Sequence, residues 1–197
     1  MDISETTTVK NFKNKCWDLW GQFRVTNVWG VRYRRDLIEV NNLKFDTNLK
    51  WGEDTEFNFR YLQKCKKMVS LPYPEYIYFK NEDSASHKYE QTRYNNSLKV
   101  AKTIADFAPN SSELWMIKYM YWDMAIRHGT NHLYDKDNRI WRKNVIKEIK
   151  RAIKDPFFRT CIKDVMIKGS LDMKVYALFL KIRMIKPYIF IARKMNW

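Results

Sequence analysis

The sequence predicts an α+β protein that is mostly helical, and three observations carry that prediction. Only five Gly and five Pro punctuate 197 residues that are 45% hydrophobic, which suits long regular elements around one real core. Two short strand-like runs, Lys67 to Leu71 and Tyr76 to Phe79, lie in the first half and are split by Pro72 and Pro74, which forbid a continuous helix there. Beyond residue 95 the pattern is helical throughout, with punctuation at Pro109, Gly129, Pro156, Gly169 and Pro187.

Taken in order, the first half opens on a polar, acidic lead that reads as neither a secretory signal nor a transit peptide. A helix is expected around Lys10 to Trp20, a second from Arg34 to Asn41, and a third opening after Gly52 and running to about Lys64. In the third, Phe57, Tyr61 and Leu62 recur at helical spacing behind an acidic first turn. The second half ends on Leu171 to Ile189, where Leu171, Val175, Leu178, Ile182, Ile185 and Ile189 form one stripe flanked by Lys174, Lys181 and Lys186. That stripe suits either core packing or contact with lipid, the lysine stems snorkelling beside it; Pro187 should end or kink the helix near its last turn. The longest apolar run, Val175 to Leu180, falls far short of the roughly 20 residues that cross a bilayer. The expected division is residues 1–95 and residues 96–197.

Charge follows the same division. The chain carries 37 Lys+Arg against 22 Asp+Glu, net +15, and residues 98–197 hold +12 of it. Such a surface seeks polyanions: nucleic acid, phosphorylated molecules or acidic lipid headgroups. Cys16, Cys65 and Cys161 are odd in number, far apart and without a Cys-x-x-Cys pair, so they read as reduced thiols. His128 and His132 have metal-ligand spacing, but the intervening Gly129, Thr130 and Asn131 argue for a helix end, and no metal is assigned to them. The sequence contains no Gly-rich phosphate loop, Gly-x-Ser-x-Gly elbow or cysteine-nucleophile motif.

Residues 27–87 carry the chemical information. Glu53, Asp54 and Glu56 crowd the first helical turn after Gly52, where the macrodipole and free amides favour carboxylates. Capping explains them; so does a general base, because a carboxylate held there stays ionised and rigidly aimed. Trp29 and Trp51 suit ordinary core, and Arg32, Arg34 and Arg35 suit phosphate contacts or a solvated helix start.

In order and spacing, Val28-Trp29-Gly30, Tyr33-Arg34-Arg35-Asp36-Leu37-Ile38, Phe45-Asp46, Gly52-Glu53-Asp54-Thr55-Glu56-Phe57, Tyr76-Ile77-Tyr78 and Ser84 to Ser86 form one series. This series resembles the acceptor-side part of the family 2 glycosyltransferases of the GT-A fold, particularly the bacterial enzymes of surface-polysaccharide synthesis. The resemblance implies a partial GT-A-like catalytic half with few short strands over 1–95, and a basic helical C-terminal extension over 96–197. It implies an inverting transfer from a nucleotide sugar to an acceptor hydroxyl, with Asp54 as catalytic base and Glu53 in support. Trp29, Arg32, Arg34, Arg35 and Trp51 are the implied substrate contacts, and His87 is the positional candidate for a metal or diphosphate contact, or else a solvent-facing loop histidine. A divalent metal, Mg or Mn, is expected for the complete enzyme and none tightly bound to this chain.

The family's nucleotide-binding motifs are missing from this sequence: no hydrophobic first strand and no Asp-x-Asp precede Trp29. Asp135-Lys136-Asp137 has the letters but lies in the wrong half, in a turn where Asp is routine. The expectation is therefore a truncated or split enzyme, inactive without a donor-binding half, that meets a saccharide or lipid-linked acceptor. From Lys143 to Lys194 the chain holds 14 basic and 4 acidic residues, suiting the anionic inner leaflet of the cell membrane. Two further classes stay open: a noncatalytic membrane-peripheral or partner-binding module, and a nucleic-acid-binding protein drawing on eight Trp and twelve Tyr, for which no recognisable reading motif is present.

Overall fold

A computed structural model describes residues 5–15, 25–71, 76, 77, 79, 92–131 and 141–187, with backbone alone for 5, 128–131 and 141–145. The described architecture is α+β and mostly helical. A two-stranded antiparallel sheet joins β1 (Glu5–Thr8) to β2 (Lys67–Ser70), in register Glu5 to Ser70 and Thr8 to Lys67. The helices are α1 (Val9–Asn14), α2 (Arg35–Val40), α3 (Glu53–Leu62), α4 (Arg93–Phe107), α5 (Leu114–Asn131), α6 (Trp141–Lys154), α7 (Pro156–Lys168) and α8 (Leu171–Lys181).

The chain divides into two compact units: residues 1–88 with 99–114, and residues 89–98 with 115–197. The boundary expected near residue 95 thus falls within α4, whose residues are shared between the units. In the first unit three rings form the core: Phe12 of α1, Phe59 of α3 and Phe107 of α4, with centroids 5.2–6.4 Å apart. Val100 and Ile104 complete it from the inner face of α4. In the second unit Trp122 of α5 is buried, and its indole N–H donates to the Ala152 carbonyl of α6 at 2.9 Å, satisfying the polar edge of a large apolar body.

Three helix ends have a clear local cause. Thr8 caps α1 by accepting the Asn11 N–H at 3.1 Å, and Asp155 caps α7 by accepting those of Phe157 and Phe158, with Pro156 in the first turn. Asn42, at φ +46°, closes α2 with a paired-carbonyl cap: its N–H bonds Glu39 O and the Leu43 N–H bonds Ile38 O.

Five details depart from the sequence reading. The polar lead contributes a strand, because Thr6 to Thr8 are β-branched and their backbone pairs with β2. Tyr76, Ile77 and Phe79 belong to no strand, and Tyr78 lies outside the described residues. The first helix spans Val9–Asn14, and residues 16–24 of the longer expected helix lie outside the described residues. The α5 helix continues through Gly129 to Asn131, a glycine being tolerated in a final turn.

The last departure is the largest. The expected helix over Leu171 to Ile189 stops at Lys181, because Arg183 takes φ +60° and completes the same cap as Asn42: its N–H bonds Leu180 O, and the Met184 N–H bonds Phe179 O. A separate helical turn covers 185–187, and residues 188–197 lie outside the described residues. The core face of α8 is Tyr176, Ala177 and Leu180, so the Leu171, Val175, Leu178 and Ile182 stripe faces solvent, Leu171 at 79% exposure. No helix among the described residues is long and apolar enough to cross a membrane.

Candidate active site around Asp54

The α3 helix builds this site in the first unit. Gly52, at φ +79°, turns the chain into the helix, and a β-carbon there would stand 2.8 Å from Val100 Cγ2. Only glycine meets both the left-handed backbone and the close approach. The next residues, Glu53 and Asp54, are half-buried.

One side of α3 then fastens the segment before α2. Asn58, buried, donates through its amide to the carbonyls of Val25 and Asn27, both at 2.9 Å, and accepts the Tyr33 hydroxyl at 2.5 Å. Thr55 donates to Thr26 O at 3.1 Å, and the Tyr61 hydroxyl accepts the Arg34 N–H at 2.8 Å. Tyr33 packs edge-on against Phe57 and Tyr61, and Phe45 stacks on Phe57 at 4.4 Å. Residues 25–34 and α3 therefore hold one another through the backbone, which fixes what stands next to Asp54.

The Val28 backbone N–H lies where it favours the charged form of Asp54, and that charge is felt by Tyr33. Burial, and then the neighbouring Glu53 charge, hold the Asp54 carboxyl above the usual carboxylate range; the Val28 N–H opposes them. The sequence reading expected the helix N-terminus to keep this carboxylate firmly ionised, and the shift runs the other way because desolvation outweighs it. A base raised toward neutrality accepts a proton more readily than an ordinary aspartate. Burial, reinforced by Asp54, also pushes the Tyr33 hydroxyl well up, so Tyr33 remains a protonated donor.

The third carboxylate of the turn has a different task. Glu56 is 4% exposed and takes a two-pronged ion pair from Arg60 at 2.7 and 2.8 Å, while Arg60 also donates to Lys44 O at 2.6 Å. It locks α3 to the loop before it and is closed to substrate.

The other expected contacts divide. Half-buried Trp29 stacks on Tyr76 with centroids 5.3 Å apart and planes at 25°, next to the Val28 amide near Asp54. Gly30, at φ +72°, makes the turn that follows. Trp51 is half-buried directly before Gly52. Arg34 is exposed and forked onto Asp36, and Arg35 is exposed and paired with Glu39 at 2.7 Å, so both guanidinium groups serve α2. Arg32 is exposed. His87 and Ser84 to Ser86 lie outside the described residues.

Sequence reasoning missed Asn58, Thr55 and the Val28 amide. The available signal for Asn58 was a lone amide among Phe57, Phe59 and Tyr61, on a helix flank that otherwise buries rings. Among the described residues no group of three or more His, Cys, Asp or Glu side chains is placed to hold a metal ion. Around Asp54 the described residues thus offer no full donor set for the divalent metal that the resemblance implies for the complete enzyme.

With this geometry in view, the chain is 37% identical over 57 residues to a protein described as the uncharacterized glycosyltransferase EpsJ of Bacillus subtilis (strain 168). The aligned stretch covers 29% of this chain and 17% of that protein, so the chain matches only a small part of its relative's length. No family model and no solved structure matches.

Proposed function

We propose that this chain supplies the acceptor side of an inverting glycosyl transfer of the family 2, GT-A type, in cell-surface polysaccharide synthesis. The observation that carries the reading is Asp54: a half-buried carboxyl with raised proton affinity at the start of α3, near the Val28 N–H beside Trp29. The partial likeness to a glycosyltransferase supports the reaction class.

In the proposed step the acceptor hydroxyl attacks the anomeric carbon of a nucleotide sugar, forming the new C–O bond as its proton passes to an Asp54 carboxylate oxygen. The anomeric carbon's bond to the diphosphate oxygen breaks, and the nucleoside diphosphate leaves with that electron pair. Glu53 raises the proton affinity of Asp54 through its charge. Trp29 offers an apolar ring against which a pyranose face would pack, and Trp51 flanks the helix start. Donor binding is assigned to a nucleotide-binding half whose motifs this sequence does not contain, so turnover requires that half.

The proposed location is the inner face of the cell membrane, with a lipid-linked acceptor. The exposed stripe Leu171, Val175, Leu178 and Ile182 supports it, extended by Ile167 and Met184 and flanked by Lys168, Lys181 and Arg183. Apolar side chains ringed by cations are the chemistry of an anionic bilayer surface.

The test combines this chain with a nucleotide-binding half supplied in trans and follows labelled sugar passing from a panel of nucleotide sugars to a membrane lipid extract. Asp54→Asn should lower transfer by about 100-fold or more, the range of a lost general base, with an unchanged circular dichroism spectrum. Transfer retained by the folded variant would remove Asp54 from the role.

A further inference from the structure

The second unit carries a cationic cavity of about 620 Å³ that glycosyl transfer does not use. Its wall is one stripe of α6, where Lys147, Lys150, Arg151 and Lys154 stand at helical spacings of three and four within a rise of about 10 Å. Its remaining lining includes Tyr94 of α4 and Asp155, the cap of α7. The opposite face of α6 is the buried one, through Ile149, Ala152 and Ile153, so the four cations are turned outward by packing.

Like charges at these spacings repel along a helix. Among the described residues Lys147, Lys150 and Lys154 form no ion pair. The carboxylate of Asp155 in that lining is already committed. One oxygen of Asp155 accepts the Phe157 and Phe158 N–H groups at 2.9 and 3.3 Å, and the other accepts the Tyr94 hydroxyl at 2.6 Å. That hydroxyl bond holds the Tyr94 ring under Arg151, whose guanidinium sits 4.7 Å from its centroid, so the fork is steadied while its charge remains. Compensation of the α6 dipole accounts for Arg151 and Lys154 in the last turn, but not for Lys147 and Lys150 behind them.

We infer that this face of α6 is a binding site for clustered phosphate groups, as in a diphosphate ester, presented either by a soluble molecule or by a lipid headgroup. A steadied guanidinium fork with three exposed ammonium groups at one mouth suits several phosphate oxygens at once. Nothing in this binding depends on glycosyl transfer, so loss of either property leaves the other measurable.

The experiment uses the full chain at low salt, with inorganic pyrophosphate in a calorimeter and with cosedimented vesicles of neutral phosphatidylcholine containing anionic phosphatidylglycerol. Lys150→Gln with Lys154→Gln should weaken binding about thirtyfold, since each lysine at an anionic surface contributes on the order of a fivefold change. Both lysines are exposed and their loss relieves repulsion, so the variant keeps its fold, which its melting curve verifies. The charge-matched pair Lys64→Gln with Lys66→Gln, exposed in the first unit, should change binding less than about threefold. A thirtyfold loss with pyrophosphate assigns a soluble source, and a loss confined to vesicles assigns a headgroup. Failure to bind either probe, equal loss in the control pair, or tighter lysine-dependent binding of a single-stranded oligonucleotide at the same salt would each overturn the site.

Discussion

Replacing Gly52 by alanine tests the geometry that sets Asp54 in place. Two costs add. The left-handed backbone, φ +79°, disfavours a residue bearing a β-carbon by about 1 kcal/mol. The new methyl would lie 2.8 Å from Val100 Cγ2, far inside the ordinary carbon contact of about 3.5–4.0 Å, and relief of such overpacking costs about 2 kcal/mol in a filled core. Val100 is fully buried, so it has little room to retreat. The sum, about 3 kcal/mol, should lower the melting temperature by about 6–12 °C for a chain of this length. A double-mutant cycle in urea separates the two terms. Val100→Ala alone should cost about 2 kcal/mol by leaving a cavity. In that background Gly52→Ala loses its collision and should cost only the backbone term, a coupling of about 2 kcal/mol. Additivity within about 0.5 kcal/mol would refute the close approach.

Three further outcomes follow from the same structure. Because burial raises the Asp54 carboxyl in the folded state, its ionised form opposes folding as pH rises above the unfolded carboxylate range near 4, and below that range both states are protonated. Asp54→Asn should therefore melt higher than the parent at pH 7 and equally at pH 3.5; a lower melting point at pH 7 would contradict the shift. Arg60→Met strands the buried Glu56 carboxylate and should cost about 3 kcal/mol in urea unfolding, with part of the loss recovered by adding Glu56→Gln; a loss below about 1 kcal/mol would show that the pair is not sequestered. Arg183→Gly relaxes the left-handed cap of α8 and should raise stability by about 0.5–1 kcal/mol, read as a higher urea midpoint; an unchanged or lower midpoint would contradict that conformation.

The α3 helix was legible because a glycine, an acidic turn and rings at helical spacing all agree on it. What α3 does to residues 25–34 was not legible, since it runs through one amide and one hydroxyl reaching carbonyls about thirty residues away. The fate of Arg34 and Arg35 was within reach: their partners Asp36 and Glu39 follow two and four residues on. The β1 strand escaped because three threonines give no apolar alternation and the partner is distant. The α8 helix misled for a different reason. It carries two apolar faces, and periodicity detects a face without saying which one the core takes; Tyr176, Ala177 and Leu180 took it. Its stop was hidden because an arginine occupies the turn where a glycine would have announced one.

The three-ring core of the first unit has a consequence for synthesis. Phe12 leaves the ribosome early, Phe59 later, and Phe107 only after nearly a hundred residues have followed the first ring. At about 5–20 residues per second, the earliest ring waits on the order of 5–20 s for the last. During that interval β1 also lacks its partner until β2 emerges. The unit that holds Asp54 thus cannot close from its N-terminal residues alone, and a nascent chain halted before residue 99 would leave Phe12 and Phe59 open to chaperones or to one another.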